Sequence, residues 1–136
     1  MSLPQPSVIA QDEIARTYER DGFVVPIDVL SQSQAHTLRI DLETAETELA
    51  GDPEKLALLK AYPDRLLPSF DALTRNETLI AAASAVLGPD LMVWSAGLFI
   101  KEANSPKIVS WHQDLTYWGL DDICETTCWF ALSSAS

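Results

Sequence analysis

The stretch LFIKEANSPKIVSWHQDLTYWGL, residues 98–120, decides how this chain is read. It continues an apolar run, LMVWSAGLFIK (91–101), which is rich in strand formers and too apolar for a surface helix. A buried strand is the expectation there. Asn104-Ser105-Pro106 marks a turn. Residues 107–115 read as a second strand and TTCWFAL (126–132) as a third. Successive side chains of a strand point to opposite faces, so His112 and Asp114 are expected on one face and Gln113 on the other. An imidazole nitrogen and a carboxylate oxygen placed that way can share a metal ion. Alone the H-x-D pattern is weak, because a histidine and an aspartate two apart can equally share just a hydrogen bond.

Upstream the periodicity is helical. Residues 11–21 carry Asp12 and Glu13 at the positive end of a helix dipole. Ile14 and Tyr18 share a face, and Gly22 suits a left-handed closing residue. FVVPI (23–27) reads as a short strand that Pro26 confines to a sheet edge. Ser31 and Gln34 form a capping-box pair, and Ala35, Leu38, Leu42, Ala45 and Leu49 then make one apolar stripe ended by Gly51. Asp41, Glu43, Glu46 and Glu48 fall on the solvated side. Residues 53–60 suggest a short helix, and Pro63 and Pro68 bracket an irregular stretch. A last helix starts at Asp71 or Asn76 and runs to Leu87, with Leu79, Ile80, Ala83, Val86 and Leu87 on its buried side and Gly88-Pro89 as its stop. Helices first and strands after is an α+β order, with the helices on one face of an antiparallel sheet. A dinucleotide-binding fold is excluded, since no G-x-G-x-x-G follows a strand.

Composition narrows the function. The 136 residues are 47% hydrophobic and 21% charged, with 9 Lys+Arg against 20 Asp+Glu and a net charge of -11. One packed domain is the expectation, with residues 1–10 a flexible arm and 11–136 the folded part. The charge excludes binding driven by a nucleic-acid backbone or an anionic membrane. No apolar run reaches the length of a membrane span, and MSLPQPSVIAQDE lacks the layout of a secretory signal. Cys124 and Cys128, spaced C-x3-C, suit neither a disulfide framework nor a zinc knuckle, so a cytoplasmic chain with reduced thiols is expected. All nine basic residues lie at or before Lys107.

Two histidines and one carboxylate on one side of a metal, with the other positions open, are the pattern of non-haem Fe(II) oxygenases. The block around His112 resembles the phytanoyl-CoA dioxygenase family of Fe(II)/2-oxoglutarate enzymes. The resemblance rests on Phe99 and Lys101, Pro106, Trp111-His112-Gln113-Asp114 and Tyr117-Trp118. It extends back through VLGPDLMVW (86–94) and YERDGFVV (18–25), and forward through CWFAL (128–132). It implies a double-stranded β-helix (a cupin-like jelly roll) with helices packed outside. His112 and Asp114 become two of three iron ligands by this resemblance, and Trp129 matches a tryptophan beside 2-oxoglutarate. Fe(II), 2-oxoglutarate as co-substrate and dioxygen are the implied cofactors, and a small molecule is the implied substrate. Relatives that halogenate replace the carboxylate by a small residue, so Asp114 implies hydroxylation or another oxidation.

The family also needs a second iron histidine downstream and an arginine for the distal carboxylate of 2-oxoglutarate, a strong bidentate pair. No histidine follows His112 and no arginine follows Arg75. The expectation is therefore the N-terminal part of a longer enzyme, its jelly roll incomplete and inactive by itself. His36 reads as a surface or packing histidine. Asp121, Asp122 and Glu125 offer only a weaker two-carboxylate site. Trp94 and Phe99 are expected in the core, while Trp111, Tyr117 and Trp118 either support the site or merely pack. A degenerate, non-catalytic protein-binding module using the acidic helical layer is the alternative, and a zinc hydrolase site on His112 and Asp114 a remoter one.

Overall fold

Ser31 opens the helix on which the core is built. Its hydroxyl accepts the Gln34 backbone N–H at 3.2 Å, and Gln34 Oε1 accepts the Ser31 backbone N–H at 2.8 Å, which satisfies two of the end groups a helix leaves unpaired. The computed structural model describes residues 10–101, 104–122 and 124–134. The expected arm therefore lies, up to residue 9, outside the described residues. Seven helices occur among those described: α1 (Gln11–Asp21), α2 (Gln32–Glu48), α3 (Pro53–Ala61), α4 (Pro63–Leu66), α5 (Pro68–Thr74), α6 (Glu77–Leu87) and α7 (Leu115–Trp118).

The stripe expected on α2 is the one that is buried. Leu38 and Leu42 join Leu59 of α3 and Phe70 of α5 in one cluster, with Leu30, Ala45, Leu49, Leu67 and Leu73 around it. Leu59, 1% exposed, sits at its centre. On the acidic side of α2, Glu43 and Glu48 are exposed, as expected, while Asp41 and Glu46 are half-buried; a cation of the same helix and one of α3 partly neutralise it. Arg39 pairs with Glu43 at 2.7 Å, and Lys60 lies 3.9 Å from Glu46. Separately, α1 packs on α6. Ile14 and Ala82 are buried there, and Gln11 Nε2 donates to the Ala81 carbonyl at 3.2 Å. Gly22 ends α1 at φ 78°, where its N–H reaches Tyr18 O. A side chain at that φ would be strained.

Two helical expectations need correction. Pro63 and Pro68 do not bracket an irregular stretch; each is the first residue of a short helix. Proline fits that position because its missing N–H has no partner there anyway. Of the two expected starts of the helix ending at Leu87, Asn76 is the one found: it caps α6, and its side chain accepts the N–H groups of Thr78 and Leu79. Asp71 belongs to the separate α5. On α6 the buried residue is Ala82, and Ile80 is exposed.

The strands, and with them the α+β jelly roll, are contradicted: no strand occurs among the described residues. Residues 23–27, 91–101, 107–115 and 126–132 have no ladder partner. Strand formers make a strand only when a neighbour takes up their N–H and C=O groups. One such tie is made by the Leu98 N–H, which donates 2.8 Å to Lys60 O at the end of a helix rather than to another extended segment. Leu98 and Leu132 still pack on the helical core, so these segments wrap it. Most of their other apolar residues are exposed. Trp94 and Phe99, expected in the core, are 46% and 67% exposed. No described helix is long and apolar enough to cross a membrane.

Candidate metal centre

His112 and Asp114 do meet, though not by strand alternation. After Trp111 the chain bends, and Asp114 takes helical angles (φ -58°, ψ -40°) as the cap of α7. The Thr116 and Tyr117 N–H groups reach back to the carbonyls of Gln113 and Asp114 at 3.2 and 2.9 Å. Gly119 closes the turn at φ 64°. This fold-back brings His112 Nε2 to 3.1 Å from Asp114 Oδ1, with both side chains about one-third exposed (35% and 31%).

The imidazole is oriented from its other nitrogen. Nδ1 lies 2.8 Å from the Ser110 carbonyl. A carbonyl only accepts, so Nδ1 carries the proton. Nε2 then turns its lone pair to a carboxylate oxygen, which also only accepts. Two acceptors this close are reconciled by a proton or a cation held between them. A metal-bound histidine characteristically donates its other N–H to a carbonyl or carboxylate. One imidazole nitrogen beside one carboxylate oxygen also suits iron(II) chemically. The donor set therefore fits the ion that the sequence resemblance implies.

The neighbourhood supports the ring on one side. Tyr117 stands edge-on to His112, with ring centroids 5.7 Å apart and planes at 77°. An open concavity of about 240 Å³, lined by Val109, Ser110, Trp111 and His112, adjoins the imidazole. Trp111 is fully exposed and fills no core. On the other side Thr127 donates its hydroxyl to Asp114 Oδ2. Reading the sequence did not single out Ser110 or Thr127. Ser110 contributes only a carbonyl, which no side chain announces, and Thr127 lies 13 residues from its partner.

The other candidates stay apart from this pair. His36 is exposed on α2. No group of three His, Cys, Asp or Glu residues among those described could hold a metal ion. Cys124 and Cys128 are free, exposed thiols. A hydrogen bond with Asp122, and then its charge, raises the Cys124 thiol above the ordinary value, which disfavours thiolate chemistry. Trp129 is 65% exposed, two residues on from Thr127.

The family model described as phytanoyl-CoA dioxygenase (PhyH) matches residues 18–136. Two curated relatives, both named ectoine dioxygenase, come from Bordetella parapertussis and Bordetella bronchiseptica. Each is 24% identical over 123 residues, covering 84% of this chain and 40% of the relative. The chain thus spans well under half the length of the curated relatives it matches. No solved structure matches it.

Proposed function

The chain belongs to the phytanoyl-CoA dioxygenase family, and from that premise we propose that it is the N-terminal part of an Fe(II)/2-oxoglutarate-dependent dioxygenase that hydroxylates or otherwise oxidises a small molecule. The observation that carries this reading is the His112–Asp114 pair, with Nδ1 committed to Ser110 O and Nε2 facing Asp114 Oδ1 at 3.1 Å. His112 Nε2 and Asp114 Oδ1 would hold the iron. Iron, with 2-oxoglutarate and dioxygen, supplies the oxidising power for a C–H bond.

The chain's own residues bind and orient. Ser110 O sets the imidazole tautomer. The Tyr117 edge limits how far the ring can rotate. Trp129, by the family resemblance, lies beside 2-oxoglutarate. Its place two residues after Thr127, which touches Asp114, is compatible with that role. The third iron ligand and the arginine for the 2-oxoglutarate carboxylate would come from residues outside these 136. The relatives' greater length supports that division.

Succinate formation from 2-oxoglutarate, with Fe(II) and oxygen, tests the reading in the full-length protein carrying this chain. His112→Ala is expected to abolish it. Turnover retained in that variant would sink the ligand assignment, and no turnover by the unaltered protein would favour the non-catalytic alternative.

A further inference from the structure

A ligand carboxylate has two oxygens, and what holds the second decides how the first is presented. Asp114 Oδ1 faces His112 Nε2, and Asp114 Oδ2 accepts the hydroxyl of Thr127. That hydroxyl has a single proton. Its other acceptor within reach, Glu125 Oε1, is 3.4 Å away, beyond the usual range of an O–H···O bond, so the proton goes to Oδ2. The next residue back is tied in the opposite direction: Thr126 Oγ1 donates 3.0 Å to the Tyr18 hydroxyl on α1, across 108 residues of sequence. Further along, Leu132 packs on the core. Thr127 is thus carried by a segment fixed on both sides.

We propose that Thr127 is a positioning residue for the metal site: its hydroxyl occupies Asp114 Oδ2, so that Oδ1 alone is offered to the ion beside His112 Nε2. The proposal rests on the iron reading of that pair. It goes beyond it by assigning the group that sets the carboxylate's orientation and makes it a one-oxygen ligand. Partners of this kind outside the ligand set commonly change metal affinity by about 10- to 100-fold when removed. The neighbouring Thr126–Tyr18 bond gives the second half of the device, because it ties the segment carrying Thr127 to α1.

The test compares the full-length protein carrying this chain with its variants Thr127→Val, which keeps the shape and loses the hydroxyl, and Thr127→Ser, which keeps the hydroxyl. Two readouts are taken: Mn(II) affinity, by electron paramagnetic resonance of the free ion, and the carbon-13 resonance of the Asp114 carboxyl in the metal-free chain. Thr127→Val should weaken Mn(II) binding about tenfold or more and move the Asp114 resonance. Thr127→Ser should restore both. Unchanged Mn(II) affinity in Thr127→Val, or an Asp114 resonance that is the same in all three proteins, overturns the proposal. A full-length protein that binds no Mn(II) in any form overturns the iron reading and the positioning role with it. In that case the Asp114 resonance still moves with the hydroxyl, which distinguishes this failure from a missing hydrogen bond.

Discussion

Leu58 and Leu59 are neighbours on α3, and one substitution at each separates burial from helix propensity. Leu59 is 1% exposed at the centre of the core cluster, and Leu58 is 51% exposed. Leu→Ala removes three carbons at either position, and the gain in helix propensity is the same small amount. At Leu59 the lost transfer free energy is about 2.4 kcal/mol at ~0.8 kcal/mol per methylene. A cavity term follows, because Leu38, Leu42 and Phe70 can close only part of the gap, and the total comes to about 3–4 kcal/mol. At Leu58 about half the surface is already in water, so the loss is about 1 kcal/mol or less. Urea unfolding followed by circular dichroism reads the difference. The midpoint of Leu59→Ala should fall by about 1–2 M with an unchanged slope, and that of Leu58→Ala by a small fraction of this. Equal shifts at the two positions would refute the placement of the core between α2, α3 and α5.

Two further effects follow from the helix ends. Asn76→Ala removes the side chain that accepts two backbone N–H groups at the start of α6, and should cost about 1 kcal/mol, while Asn76→Ser should cost little; thermal unfolding compares them. Asp52 caps α3, and hydrogen bonds from the Lys55 ammonium and then the Lys55 backbone hold its carboxyl below the usual range. A depressed folded pKa means stability that is present above the unfolded value of about 4 and lost as pH falls through the folded one. Asp52→Asn should therefore differ most from the parent at neutral pH and converge with it in acid. Urea midpoints measured from pH 7 down to 2 check this, and a gap that widens on acidification would contradict the sign.

The helices were legible because their signals are local. The Ser31–Gln34 box, the Asn76 cap, Gly22 and the 3-4 spacing of the α2 stripe each act within a turn or two of chain. Pro63 and Pro68 misled because a proline signals both a break and a start, and only the residues around it in space decide which. The strands failed for a different reason. The apolar and branched residues of 91–101 and 107–115 favour extended backbone, which is a local preference, but a sheet needs a partner that composition does not supply. His112 and Asp114 were placed together correctly, yet by an alternation that the chain does not use; the turn into α7 joins them instead. The ring's orientation through Ser110 O and the carboxylate's through Thr127 are long-range or main-chain effects, invisible in the residue pattern.

The central claim is that His112 and Asp114 form a metal-binding pair. Anaerobic titration of the chain with Fe(II), read by calorimetry, tests it most directly. One weak site is expected, because two protein ligands are fewer than an iron centre normally uses, and both His112→Ala and Asp114→Ala should abolish it. Iron binding that persists unchanged in His112→Ala and Asp114→Ala would contradict the account.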